Sequence, residues 1–150
     1  MADIILDVNA FRIFIDKEFS GKFIDKVKDM CHHIYVLRNT LDQVARIFKF
    51  LPLQLLTGPF KKLGSAKYHE EPKSNIEREE LPPRIEEELE KYHADHYDKA
   101  LARLALRRRK KGQEVYLVSS DPCFLNNRKL FKNYGIEVVD WRGLIASLDP

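Results

Sequence analysis

Glycine is scarce in this chain, six in 150 residues, and none falls in a G-x-G-x-x-G string or in the G-K-[ST] of a phosphate loop. The usual backbone cradle for a pyrophosphate is therefore missing, and no dinucleotide cofactor is expected. No G-x-S-x-G elbow occurs either, which argues against the strained serine of the α/β hydrolases. The two cysteines, Cys31 and Cys123, could pair only once and lack close metal-ligand spacing, so neither a disulfide framework nor a cysteine zinc site is favoured. Both read as buried thiols. A long uncharged apolar run is also absent, and Asp3 and Asp7 interrupt the segment after Met1, so neither a membrane span nor a signal peptide is supported. The expectation is a soluble, cytoplasmic protein.

What is present suits one domain over residues 1–150, since this length falls in the usual single-domain range and 44% hydrophobic content can furnish a core. The net charge is only +3, but charged residues make up 33% of the chain and are unevenly placed. Acids crowd into residues 77–90. Bases concentrate at Arg107, Arg108, Arg109, Lys110 and Lys111, a run that could meet phosphates or could equally be the solvated end of a helix, where cations complement the dipole.

Residues 4–6 form an apolar run without alternation, as in a strand covered on both faces. Phe11, Ile13, Phe14 and Ile15 follow, and Phe23, Ile24, Val27, Met30 and Cys31 then recur at helical spacing after a break expected at Ser20 and Gly21. Ile34, Tyr35 and Val36 centre a second strand. Asn39 or Thr40 then caps a helix with Leu41, Val44, Ala45, Phe48 and Leu51 on one side, stopped by Pro52. From residue 58 to about 83, Gly58, Gly64, Pro72, Pro82 and Pro83 interrupt regular structure, so an exposed insertion is expected. Pro83 can start a helix through the acids that follow. Asp98 heads the next helix, with Leu101, Leu104, Ala105 and Leu106 on its apolar side and Gly112 at its end. Residues 114–119 are the clearest strand. A helix around residues 128–134, closed by Gly135, a strand through Ile136, Val138 and Val139, and a short terminal helix complete the chain. Alternating strands and helices imply a three-layer α/β/α sandwich around a mostly parallel sheet of four to five strands.

Two of these strands end in aspartate: Asp7 after Leu6, and Asp121 after Ser119 and Ser120. In an open parallel sheet the carboxyl ends of the strands converge on one crevice, where distant acids can meet and bind a divalent cation. Each acid also has an ordinary structural role open to it. Asp7 can cap the next helix, Asp98 can be an N-cap, and Asp121 before Pro122 can initiate a turn. Asp95, three residues before Asp98, is an auxiliary candidate if the helix starts early. His93 and His96 lack partners at a persuasive metal-ligand spacing and read as solvated.

Taken together, residues 4–10 (Ile, Ile, Leu, Asp, Val, Asn, Ala), the aspartate heading an alanine-containing helix at 98–105, and the strand ending Ser119, Ser120, Asp121 resemble the motifs of the PIN-domain family of metal-dependent nucleases. The resemblance implies that Asp7, Asp98 and Asp121 hold Mg²⁺ or Mn²⁺ through oxygen ligands, with Asn9 and Ser119 orienting carboxylates or waters around them. It implies metal-assisted hydrolysis of RNA to a 5′-phosphate and a 3′-hydroxyl. Where the family usually carries a glutamate on the second helix, this chain has Gln43. Its neighbour Asp42 would restore the charge under a shifted placement, but the two point about 100° apart on a helix.

The resemblance also raises the role of toxin in a toxin–antitoxin pair, with a homodimer and an antitoxin protein as partners. For nucleic-acid contact, residues 107–111 and Lys61, Lys62 and Lys67 are candidates. Two competing functions stand beside the ribonuclease. One is a PIN-fold RNA-binding module whose acidic site has decayed, suggested by Gln43. The other is a haloacid-dehalogenase-like phosphatase, ranked last because Asn9 stands where that chemistry wants a second acid.

Overall fold

Five short strands, all mutually parallel, lie in the order β3-β2-β1-β4-β5. They are β1 (Ala2–Leu6), β2 (His33–Leu37), β3 (Tyr68–Glu71), β4 (Glu114–Val118) and β5 (Ile136–Val139). The computed structural model describes residues 2–15, 17–29, 32–47, 57–58, 60–64 and 66–148. Met30, Cys31, Phe48, Leu51 and Pro52, expected in or beside the first two helices, lie outside the described residues. Every residue of β1 is buried, as its unalternated apolar run requires of a central strand with helices on both faces.

Side chains of successive strand residues point to opposite faces, so each strand feeds two cores. Ile5, Leu37, Val115, Leu117 and Val138 face α3 (Pro83–Lys91), α4 (His96–Lys110), α5 (Pro122–Leu125) and α6 (Arg128–Asn133). Ile4, Leu6, Ile34, Val36 and Val118 face the other way. There they meet a 3₁₀ segment (Val8–Ile15), α1 (Lys17–Asp29), α2 (Arg38–Ile47) and α7 (Trp141–Leu148). The architecture is the expected three layers around a five-stranded parallel sheet.

Three local expectations change. Helix α1 runs through Ser20 and Gly21 without the break. Helix α2 starts at Arg38, directly after β2, rather than being capped from Asn39 or Thr40, and Ala45 on it is exposed. Residues 58–83 are not an exposed loop throughout, because they supply the edge strand β3 and bury Phe60, Tyr68, Ile76 and Leu81. Phe60 meets Phe11 and Phe23 edge-on, with centroids 6.0 and 6.2 Å away, and stacks on Tyr68 at 5.6 Å. The strand escaped recognition because its residues, Tyr, His, Glu and Glu, carry no apolar run. An edge strand is held by backbone pairing on one side and tolerates charge on the other.

A polar ladder braces the amino ends of the strands. Asp3, 1% exposed, accepts a 2.6 Å hydrogen bond from Arg108 Nε on α4. The guanidinium lies 4.3 Å from the centre of the Tyr35 ring, Tyr35 stacks on His69 at 4.5 Å, and His69 Nε2 lies 3.2 Å from His33 Nδ1. Removing one partner of a buried ion pair strands the other charge, so Arg108→Ala is expected to lower unfolding free energy by about 3 kcal/mol. Urea denaturation checks this. A loss below about 1 kcal/mol would mean the pair behaves as a surface contact.

Candidate metal centre

The register of the sheet builds the site. Leu6 of β1 lies beside Val118 of β4, and Val118 beside Val139 of β5, so these strands end in one row. The next residues along are Asp7, Ser119 and Asp140. The Asp7 amide donates to the Val118 carbonyl at 3.0 Å and the Ser119 amide to the Val139 carbonyl at 3.0 Å, which carries the row one step beyond the strands.

Ser119 then links two acids. Its hydroxyl donates to Asp7 Oδ2 at 2.7 Å and accepts the Asp121 amide at 3.0 Å. The other Asp7 oxygen accepts the Val8 amide at 2.6 Å. Asp121 caps α5, its Oδ1 accepting the Cys123 amide at 2.9 Å. Asp98 reaches the same place from the start of α4, within a reciprocal capping box in which Asp98 accepts the Asp95 amide and Asp95 accepts the Asp98 amide. Asp95, not Asp98, is the N-cap. Each acid thus also has a structural task, although for Asp98 it is the N3 position of the capping box rather than the N-cap that the sequence suggested.

Ligand atoms of Asp98, Asp121 and Cys123 lie within 4.8 Å of one another, the geometry of a group able to hold a metal ion. Asp7 is 2% exposed, and burial raises its pKa, offset by the Ser119 and Val8 hydrogen bonds and reinforced by the charges of Asp121 and Asp95. Burial pushes Asp98 up to about 7, with the charges of Asp95, Asp7 and Asp121 adding to the shift. The acids therefore share one electrostatic neighbourhood. None of Asp7, Asp98 and Asp121 forms an ion pair among the described residues. A concentrated negative charge with no cationic side chain against it fits a divalent cation. Burial and the Asp98 charge also hold the Cys123 thiol protonated, with its S–H directed to Asp121. Asp98 and Asp121 offer the oxygen donors that hard divalent cations prefer, and Cys123 offers a sulfur beside them.

The remaining candidates divide. Asp42 is exposed, whereas Gln43 has a buried Oε1 with no hydrogen-bond partner among the described residues, so Gln43 is the inward member of the pair. Asn9, half-buried, lines a cavity of about 340 Å³ with Ser119, Ser120 and Arg142. His93 and His96 are exposed, as solvated residues should be.

The basic run moves away from the crevice. Along α4, residue 110 lies twelve positions beyond Asp98, about 18 Å at 1.5 Å per residue. Arg108 is spent on Asp3, Lys110 pairs with Glu79 at 2.8 Å, and Arg109 donates to the Gln113 carbonyl. Arg108, Arg109 and Lys110 therefore make internal contacts at the end of the helix far from Asp98.

Sequence reasoning passed over Cys123, two residues after Asp121, and also Asp140, although the rule that singled out Asp7 and Asp121 applies to any acid closing a strand. It also missed Arg46 on α2, which bonds to the Tyr97 hydroxyl and lies 5.6 Å from the centre of that ring, next to Asp98.

An acidic crevice at the carboxyl ends of a five-stranded parallel sheet, inside three α/β/α layers, defines the class of structure to which this chain conforms. Its fold is that of a PIN domain. The chain superposes on the PIN domain of RRP44 from T. brucei with a TM-score of 0.57 and 11% sequence identity, covering 97% of this chain and 81% of that one. No family model and no curated protein matches the sequence. Among the described residues, no helix is long and apolar enough to cross a membrane.

The raised Asp98 pKa has a thermodynamic consequence. Between its ordinary value and about 7 the folded protein holds a proton that the unfolded chain has released, so the metal-free fold loses stability as pH rises through that window. Melting temperatures from pH 4 to 7.5 should decline more in wild type than in Asp98→Asn, and Mn²⁺ should reverse the decline. Parallel profiles for the two proteins would contradict the shared-charge description.

Proposed function

We propose that the protein is a metal-dependent ribonuclease whose centre is formed by Asp7, Asp98 and Asp121, with Gln43 as a neutral fourth member. What supports this reading is that Asp98 and Asp121 offer ligand atoms within 4.8 Å of each other and of Cys123, while Asp7, outside that group, is tied to the Asp121 backbone through Ser119, and none of the three acids has an ion pair among the described residues. Structural capping alone would not require them to meet.

A divalent cation held there would supply Lewis-acid activation of a water and neutralise charge on a phosphodiester in the transition state. The protein's share is positioning. Ser119 fixes Asp7 and the backbone turn into Asp121, the Cys123 amide fixes Asp121, and the Asp95 amide fixes Asp98, so each carboxylate is oriented before a ligand arrives. The orphaned Gln43 Oε1 can accept a water or bind a cation weakly, but it contributes one charge fewer than a glutamate. RNA as substrate, toxin action with a homodimer and an antitoxin, and a cytoplasmic setting extend this reading along the family resemblance.

Gln43 favours one second reading, a PIN-fold module that binds RNA without turnover. The phosphatase reading is weakened by Asp7, which is buried with both oxygens hydrogen-bonded and so is poorly placed as a nucleophile.

Purified protein should cleave RNA with Mn²⁺ or Mg²⁺ and stop on chelation. Asp7→Asn and Asp121→Asn should each lower the rate by about 100-fold or more, as expected for groups that organise metal-assisted catalysis. Gln43→Glu should tighten Mn²⁺ binding measured by calorimetry. Equal cleavage by the Asp variants removes the ribonuclease, and salt-sensitive RNA binding without turnover establishes the module in its place.

A further inference from the structure

The cavity lined by Asn9 and by Ser119, the residue that links Asp7 to Asp121, does not end there. It is the first of three hollows with common walls. Asp140 lines both the first and a second of about 290 Å³, and Asn126 lines both the second and a third of about 310 Å³. The series leads from the carboxyl ends of β1 and β4, past β5 at the edge of the sheet, to the groove between α3 and α6. Each hollow carries a cation: Arg142 in the first, Arg128 in the second, and Arg84 with Lys129 in the third.

All four of these side chains are exposed, and none forms an ion pair among the described residues. The two acids along the way are engaged. Glu88 pairs with Lys91 at 2.9 Å, and Asp140 Oδ1 accepts the Gly143 amide at 2.7 Å. Arg108 and Lys110 are held by Asp3 and Glu79, whereas these four cations recur, without an ion pair among the described residues, along one series of hollows, an arrangement complementary to an anion that also repeats. A nucleic-acid backbone is such an anion. Hollows of this size, walled by carboxamides, suit bases splayed out one at a time, whereas a duplex keeps its bases stacked and offers only its outer surface.

We propose that the trough through Arg142, Arg128, Arg84 and Lys129 is a track for a single strand of nucleic acid leading into the acidic crevice. It rests on the nuclease reading of that crevice and adds the path by which the strand crosses the surface. The cations hold phosphates and supply affinity, while Asn126 and its neighbouring carboxamides meet base edges or sugars.

The test is fluorescence anisotropy in EDTA, which prevents cleavage, with a labelled single-stranded RNA of mixed sequence, its complement as a duplex, and a range of salt. Four phosphate contacts predict a slope of log affinity against log salt of about −2.8, and each of Arg84→Ala, Arg128→Ala, Lys129→Ala and Arg142→Ala should make it shallower by about 0.7. Lys111→Ala, at the far end of α4, should leave it unchanged. The duplex should bind about tenfold more weakly. An unchanged slope in the fourfold variant, with its circular dichroism and melting matching wild type, overturns the track, as does duplex binding equal to that of the single strand. The two readings fail separately. Cleavage by wild type with an unchanged slope in the fourfold variant removes the track alone, and salt-sensitive binding lost in that variant without cleavage by wild type removes the nuclease alone.

Discussion

Like charges repel and burial penalises each of them, and yet Asp98 and Asp121 offer ligand atoms within 4.8 Å of each other, with Asp7 tied to the Asp121 backbone through Ser119. What holds them is the parallel pairing of β1 with β4, whose register sets Asp7 beside Ser119 and lets one hydroxyl bind the first acid and the backbone of the third. Helix α4, packed across both strands, delivers Asp98 from its first turn. The apolar cores on the two faces of the sheet stabilise this arrangement, and burial, with the charges of Asp95, Asp7 and Asp121 adding to it, raises Asp98 to about 7. Under the proposed function these carboxylates would be oriented for a cation before it arrives, because their hydrogen bonds are already formed in folding.

The same acids serve two ends. Asp121 caps α5, Asp98 completes the capping box of α4, and Asp7 satisfies the first amide of the 3₁₀ segment. Capping leaves lone pairs on each carboxylate, so local structure and ligand binding do not compete. This double use also explains why each aspartate, read alone, was equally well described as structural. Only their convergence separates the two descriptions, and convergence is a property of the sheet rather than of any one motif.

Much of this was legible in the chain. Central strands β1 and β4 announce themselves as apolar runs because both of their faces are covered, and the acids that close them follow from strand order. Edge strand β3 was hidden, since a strand paired on one side needs little apolar character, and the glycines and prolines around it read as loop. Yet Phe60, Ile76 and Leu81, apolar residues within that stretch, were a signal that part of it packs inward. The inward orientation of Gln43 over Asp42 depends on the phase of α2, which sequence periodicity left open. For residues 107–111 the sequence left two readings open, a phosphate contact or the solvated end of a helix. A helix with Asp98 at one end must place residue 110 about 18 Å away, and that distance was already contained in the numbering.

The account stands on the acids forming one cation site. Its most direct test is a crystal structure of the protein soaked in Mn²⁺, with anomalous scattering recorded to locate the ion. The expected result is a peak between the carboxylates of Asp98 and Asp121, with Asp7 coordinating directly or through a water held by its free lone pairs. A fully ordered crevice with no peak at saturating Mn²⁺, or with the ion bound elsewhere, would contradict it.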